Sequence, residues 1–138
     1  MDIDDVTLRQ ILTECRTIAV VGFSPNPARP SHGVARYLAG VGYRVIPVNP
    51  GHAGEVVAGM TVVGSLSEIV EPVHMVDIFR RSEHVLPVVE EAMSLAGLRC
   101  VWMQLGISNA EARRLAEAKG IQVVDNRCTK IEHARLIG

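Results

Sequence analysis

Five short apolar runs, each rich in Val or Ile and each ended by Gly, Asn or an Arg pair, constrain the fold of this chain more than any other feature. They are residues 17–21, 43–48, 73–79, 100–104 and 121–125. Their apolarity is mostly continuous rather than alternating, as expected of strands buried on both faces of a parallel sheet. Segments with helical spacing lie between them. Leu8, Ile11, Leu12 and Cys15 share one face, and a short helix over 33–39 can stop at Gly40 or Gly42. Val85, Val88, Val89, Ala92, Met93 and Ala96 follow the cap residue Ser82 and precede Gly97. Ser108 and Glu111 form a capping box ahead of a helix to Lys119, and Thr129 with Glu132 repeats it for a last short helix. Residues 65–68 read as a short turn or helix, and Asn49 to Pro72 as the least helical connection.

Strands alternating with helices predict an α/β chain, a Rossmann-like doubly wound parallel sheet of five strands with helices on both faces. Right-handed crossovers leave few strand orders, of which 3-2-1-4-5 is the expectation. With 138 residues and no repeat or linker, the stretch 1–138 reads as a single domain.

Composition narrows the function. A net charge of −1 and 4% aromatic residues disfavour a protein that tracks a nucleic-acid backbone. Three cysteines without CxxC spacing build neither a disulfide framework nor a four-cysteine zinc site. His52, His74 and His84 form no i, i+4 pair, so a metal site has no support. No apolar stretch approaches the roughly 20 residues that span a bilayer, and the acidic start, Met1 to Asp5, does not resemble a secretory signal. The expectation is a cytoplasmic domain without nucleic-acid or membrane partners.

In open α/β sheets, ligands bind beyond the carboxyl ends of the strands. The loop after the first strand runs from Gly22 to Gly33 and passes directly into a helix, whose N-terminal N–H groups and dipole suit an anion such as phosphate. The bland alternative is a rigid surface turn capped at Ser31. The loop is not G-x-G-x-x-G, since Ser24 stands at the second glycine position, and Asn49-Pro50-Gly51 replaces the acidic residue a dehydrogenase needs after strand two. An NAD(P)-dependent oxidoreductase is therefore a poor match. The five post-strand stretches hold Arg29, Arg80, Arg81, Arg127 and Lys130 against Glu55, Glu83 and Asp125. That rim is net positive in a chain that is net negative, and arginine forks suit phosphate oxygens. Each arginine taken singly also reads as a solvated element end.

Candidate chemistry is sparse. Cys128, with Arg127 and Lys130 beside it, is either a nucleophile for acyl transfer or a small buried packing residue, and the latter is the usual role of a free cysteine. His133 falls on another side of the helix start. His32 either donates to an anion or is exposed. Asp77, inside a buried strand, either orients the first loop or takes a backbone donor. No carboxylate pair or Ser-His-Asp order can be assembled, so no catalytic residue is assigned.

Several blocks in order resemble the small stand-alone CoA-binding proteins. They are Ile18 to Pro27, Pro30 to Ala35, Val45 to Pro50, Val76 to Glu83, Trp102 to Gly106 and Arg127 to His133. That family is similar to the N-terminal CoA-binding domain of the succinyl-CoA synthetase α subunit. The resemblance implies that coenzyme A, or an acyl-CoA, lies across the strand ends. Gly22, Phe23, Ser24 and the turn Arg29, Pro30, Ser31, His32 and Gly33 match the region that holds its phosphates. Val48, Asn49 and Pro50 match the stretch beside adenosine, while Phe79, Arg80, Arg81, Gln104 and Gly106 match later loops of the groove. Related sequences often place Lys or Arg after the Asn-Pro pair. Here Gly51-His52 follow, so the 3′-phosphate has no cation at that position and its grip stays open unless Arg80 or Arg81 supplies it, and Thr129 replaces a frequent Pro. The synthetase's phosphorylated histidine belongs to a separate domain, so ligase activity is not implied. The function expected is a binding, sensor or carrier module, with a partner-docking domain as a further alternative.

Overall fold

The computed structural model describes residues 3–138. Helix α1 (Asp5–Glu14) leads into β1 (Thr17–Val21), α2 (Pro30–Gly40) and β2 (Arg44–Val48). A connection with a small antiparallel pair, β3 (Val56–Val57) and β4 (Met60–Thr61), leads to β5 (Met75–Ile78). The chain continues through α3 (Val85–Ala92), β6 (Cys100–Met103), α4 (Ala110–Ala118), β7 (Gln122–Val124) and α5 (Thr129–Leu136). The connection from Asn49 to Pro72 holds only that pair and two 3₁₀ turns, as its composition predicts.

The five main strands are parallel and run in the order β2-β1-β5-β6-β7. Numbered among themselves this is 2-1-3-4-5, the flavodoxin-like winding, and it corrects the expected 3-2-1-4-5. The reason lies in β2. Pro47 has no N–H to give a further strand, so it belongs on an edge. Its carbonyl faces outward and accepts from the Val63 N–H at 2.9 Å, while Asn49 N–H donates to the Val63 carbonyl at 2.9 Å. This short bridge closes the β2 edge, and the third strand pairs instead with β1, Ile18 to Val21 lying beside Met75 to Ile78.

Continuous apolarity in the strands feeds two cores. Ile18, Val20, Met75, Cys100 and Trp102 face Leu8, Leu12, Leu38 and Val34, on the side where α1, α2 and α5 pack together. Ala19, Val21, Val76, Ile78, Val101 and Met103 face Val85, Val89, Ala112 and Ala116 of α3 and α4. Residues one apart on a strand serve opposite faces, as the pleat requires.

Helix starts differ from the expected caps. Helix α2 begins at Pro30, not Gly33, with Arg29 as N-cap, because the ring of Pro30 presets the first helical φ. Asn109, rather than Ser108, caps α4, its side chain accepting from the Ala112 N–H. The Ser108 N–H instead donates to the Ser82 hydroxyl at 3.1 Å. Ser82 opens a 3₁₀ turn ahead of α3 rather than capping the helix. Cys128 is the N-cap position of α5, since the Thr129 hydroxyl is drawn inward to Asp77.

Candidate ligand-binding cleft

The winding reverses between β1 and β5, and there the following elements part. Helix α2 leaves β1 toward one face and α3 leaves β5 toward the other. The gap is a cleft of about 840 Å³ above the strand ends, within the size range of small-molecule sites.

Glycine at position 22 is what lets the two strand ends approach. Its φ is +86°, and a Cβ there would collide with the Phe79 carbonyl oxygen. The Phe79 N–H donates to the Val21 carbonyl at 2.8 Å, so the two strands stay in register up to the cleft. Beyond Gly22 the loop is stapled from inside. The Ser24 N–H donates to the Ser31 hydroxyl at 2.9 Å, the His32 ring bonds the Ser24 carbonyl at 3.1 Å, and Phe23 stacks on His32.

This placement settles where the expected residues go. Gly22, Ser24, Arg29, Pro30, Ser31, Phe79, Arg80, Arg81, Gln104 and Gly106 all line the cleft. Phe23 is fully buried beneath it. His32 is buried rather than exposed, its Nδ1 bonded to the Ser24 carbonyl, and it is not among the residues that line the cleft. Gly33 lies on the exposed side of α2 with open space around its Cα. Val48 belongs to the core, Pro50 is exposed, and Asn49 braces the first loop by donating to the Phe23 carbonyl at 2.7 Å. Val34, Ser82 and Glu83 also line the cleft. The sequence signal for Ser82 and Glu83 was their adjacency to the arginine pair. Val34 carried none, because an apolar helix residue reads as core.

The loop's amides are partly spoken for. Gly22 and Phe23 N–H both donate to the Val48 carbonyl, at 3.0 and 3.3 Å, and Pro25, Pro27 and Pro30 have none to give. Charge for an anion must therefore come mainly from side chains. Arg29, Arg80 and Arg81 reach the lining, and among the described residues none of the three pairs with a carboxylate.

The cleft floor is different. Gln104, at the end of β6, is 4% exposed and bonds fully buried Asp77 at 2.7 Å and Thr129 at 3.0 Å. Asp77 therefore takes side-chain donors, not a backbone N–H or the first loop. Burial pushes its carboxyl up to about 7, against the two hydrogen bonds that favour ionisation. The loop after β6 is clipped to the loop after β7, Gly106 N–H donating to Asn126 Oδ1 at 2.8 Å.

Cys128 lines the same cleft but is 8% exposed. His133 is turned away, its Nδ1 2.8 Å from the Tyr37 hydroxyl, and burial lowers its pKa. Burial raises the Cys15 thiol to about 11 and Cys100 well above the ordinary thiol range. Among the described residues no group of three His, Cys, Asp or Glu converges as a metal site, and no helix is long and apolar enough to cross a membrane.

A flavodoxin-like winding with an arginine-rimmed cleft at its switch point defines a Rossmann-like doubly wound domain. The chain belongs to the CoA binding domain family, whose model matches residues 16–134. It is 39% identical over 127 residues to the protein YneT of Bacillus subtilis, covering 92% of both chains. Two solved structures are similar throughout. A Pyrococcus horikoshii OT3 protein has a TM-score of 0.92 at 38% identity, over 99% of this chain and 94% of that one. The Thermus thermophilus protein cell-free ID.343 has a TM-score of 0.92 at 41% identity, over 98% of this chain and all of that one.

Proposed function

We propose that this chain, as a single domain, is a non-catalytic module that holds coenzyme A or an acyl-CoA in the switch-point cleft, as a sensor or carrier. The observation that carries the reading is the meeting of Arg29, Arg80 and Arg81, without carboxylate partners among the described residues, in a chain of the CoA binding domain family. In this reading the diphosphate lies over Gly22, Ser24, Pro30 and Ser31 with Arg29. Arg80 or Arg81 takes the 3′-phosphate, and Phe79 covers the ligand. Adenosine lies toward Val48, Asn49 and Pro50, and the pantetheine arm runs over Gln104 and Gly106. Phe23, His32 and Gly33 contribute by shaping the loop and the helix start. His133, five residues beyond Cys128, is committed to the Tyr37 hydroxyl, which favours binding over acyl transfer at that thiol. Three free thiols suit a reducing cytoplasm.

A thermal-shift panel tests the proposal. A ligand at 100 times its Kd stabilises by about 2.7 kcal/mol, which is roughly 5–10 °C for a domain of this size. CoA is expected to exceed NAD and AMP, with dephospho-CoA falling between. No shift with any CoA species, or a larger one with NAD, overturns it.

A further inference from the structure

The arginines of the cleft stand on its rim, whereas its floor is closed by a neutral amide whose orientation is dictated from behind. Gln104 Nε2 donates to Asp77 Oδ1 at 2.7 Å and to Thr129 Oγ1 at 3.0 Å. The Thr129 hydroxyl in turn donates to Asp77 Oδ2 at 2.8 Å. Above about pH 7 the Asp77 carboxyl is ionised and only accepts, and the Thr129 proton is already given to it. Both neighbours therefore demand N–H bonds, and turning the amide over would aim its carbonyl oxygen at two acceptors. Asp77 and Thr129 are completely buried, so water cannot relieve that mismatch.

The other end of the amide is left for the cleft. Gln104 Oε1 accepts from no group among the described residues, and no sealed side-chain oxygen among them lacks a partner. Oε1 is thus open to the cleft that Gln104 lines. The lining residues Leu105, Gly106, Ile107 and Cys128 bring no cation to that part of the cleft.

We infer that Gln104 is a specificity-determining residue, its fixed carbonyl oxygen admitting a ligand whose inner end is uncharged and rejecting one that ends in a carboxylate. The inference rests on the CoA reading and assigns ends within it. The phosphates occupy the guanidinium rim, and the uncharged pantetheine arm is what remains for the floor. A carboxylate there would meet an acceptor with the Asp77 carboxylate behind it.

Titration calorimetry of the full chain at pH 8 with S-ethyl-CoA and S-carboxymethyl-CoA, ligands of equal reach, tests this. S-ethyl-CoA is expected to bind about tenfold tighter or more, the worth of one clashing acceptor pair. Asp77→Asn keeps the shape but can donate an N–H, freeing Gln104 to turn, and Gln104→Met removes the oxygen. Either variant that folds is expected to narrow the ratio to within about threefold. Equal affinities in the unaltered protein, or a ratio that both variants preserve, overturn the inference while leaving the CoA reading intact. No binding by CoA or either derivative overturns that reading, and this inference with it.

Discussion

The side-chain amide of Asn49 donates a 2.7 Å hydrogen bond to the carbonyl oxygen of Phe23, tying the loop after β2 to the loop after β1. Its Oδ1 also accepts from the Gly51 N–H at 2.8 Å, so one side chain stiffens both loops. Asn49→Ala is expected to cost about 1–2 kcal/mol, the range for a part-buried polar group that loses its partner. Urea denaturation reads that loss. CoA affinity should fall with it, since ordering two loops then costs more on binding.

Two glycines of the same region are expected to respond with opposite sign. Gly22→Ala places a Cβ against the Phe79 carbonyl in a left-handed conformation, which should cost upwards of about 2 kcal/mol. Gly33→Ala fills open space on a helix and should stabilise by about 0.5–1 kcal/mol. Melting curves of the two variants make the comparison, and a stabilised Gly22→Ala would contradict the close approach of β1 and β5.

The rim arginines should matter for binding and little for folding. Replacing Arg80 and Arg81 with Ala should change stability by no more than about 0.5 kcal/mol. The same change should weaken CoA binding by roughly tenfold to a hundredfold, given the strength of charge-assisted hydrogen bonds. The affinity gap between CoA and dephospho-CoA should shrink in the variant that loses the 3′-phosphate contact. Salt should weaken binding in the unaltered protein more than in the variant.

Asp77 sets a pH signature. Its carboxyl, near 3.8 in an unfolded chain, is pushed up to about 7 by burial. The folded protein therefore keeps a proton that the unfolded chain releases, and the stabilisation it brings is full below about 4. It is lost as pH rises toward 7, because the native state then binds more protons than the unfolded one. Asp4, Asp5 and Glu71 shift the other way, so the comparison needs an isogenic variant. Asp77→Asn should flatten this component and be the more stable protein at pH 8, by on the order of 1 kcal/mol or more. Denaturation midpoints of both proteins from pH 4 to 8 measure the difference.

The strands and the cleft position were legible because each rests on a local signal. Runs such as Ile18 to Val21 are buried, and residues after β1, β5, β6 and β7 are those the winding places at the cleft, whereas Asn49 and Pro50 after β2 are not among its lining. The strand order was not legible from helical and strand periodicity, since pairing is a long-range choice. Pro47 did hold the clue, as a residue without an N–H belongs on an edge strand. Helix starts went astray for a related reason. Ser108 and Thr129 match a capping pattern, yet their tertiary partners Ser82 and Asp77 claim them. His32 shows the limit at the site itself. A histidine in a phosphate-type loop invites a ligand role, whereas Ser24 and Phe23, eight and nine residues earlier, bury it.

The most direct test is a crystal structure of the complex with coenzyme A. The account predicts the diphosphate over Gly22 and Ser24 within reach of Arg29, a guanidinium from Arg80 or Arg81 on the 3′-phosphate, and the sulfur end toward Gln104. Coenzyme A bound on another face, with the cleft between β1 and β5 left empty, would contradict it.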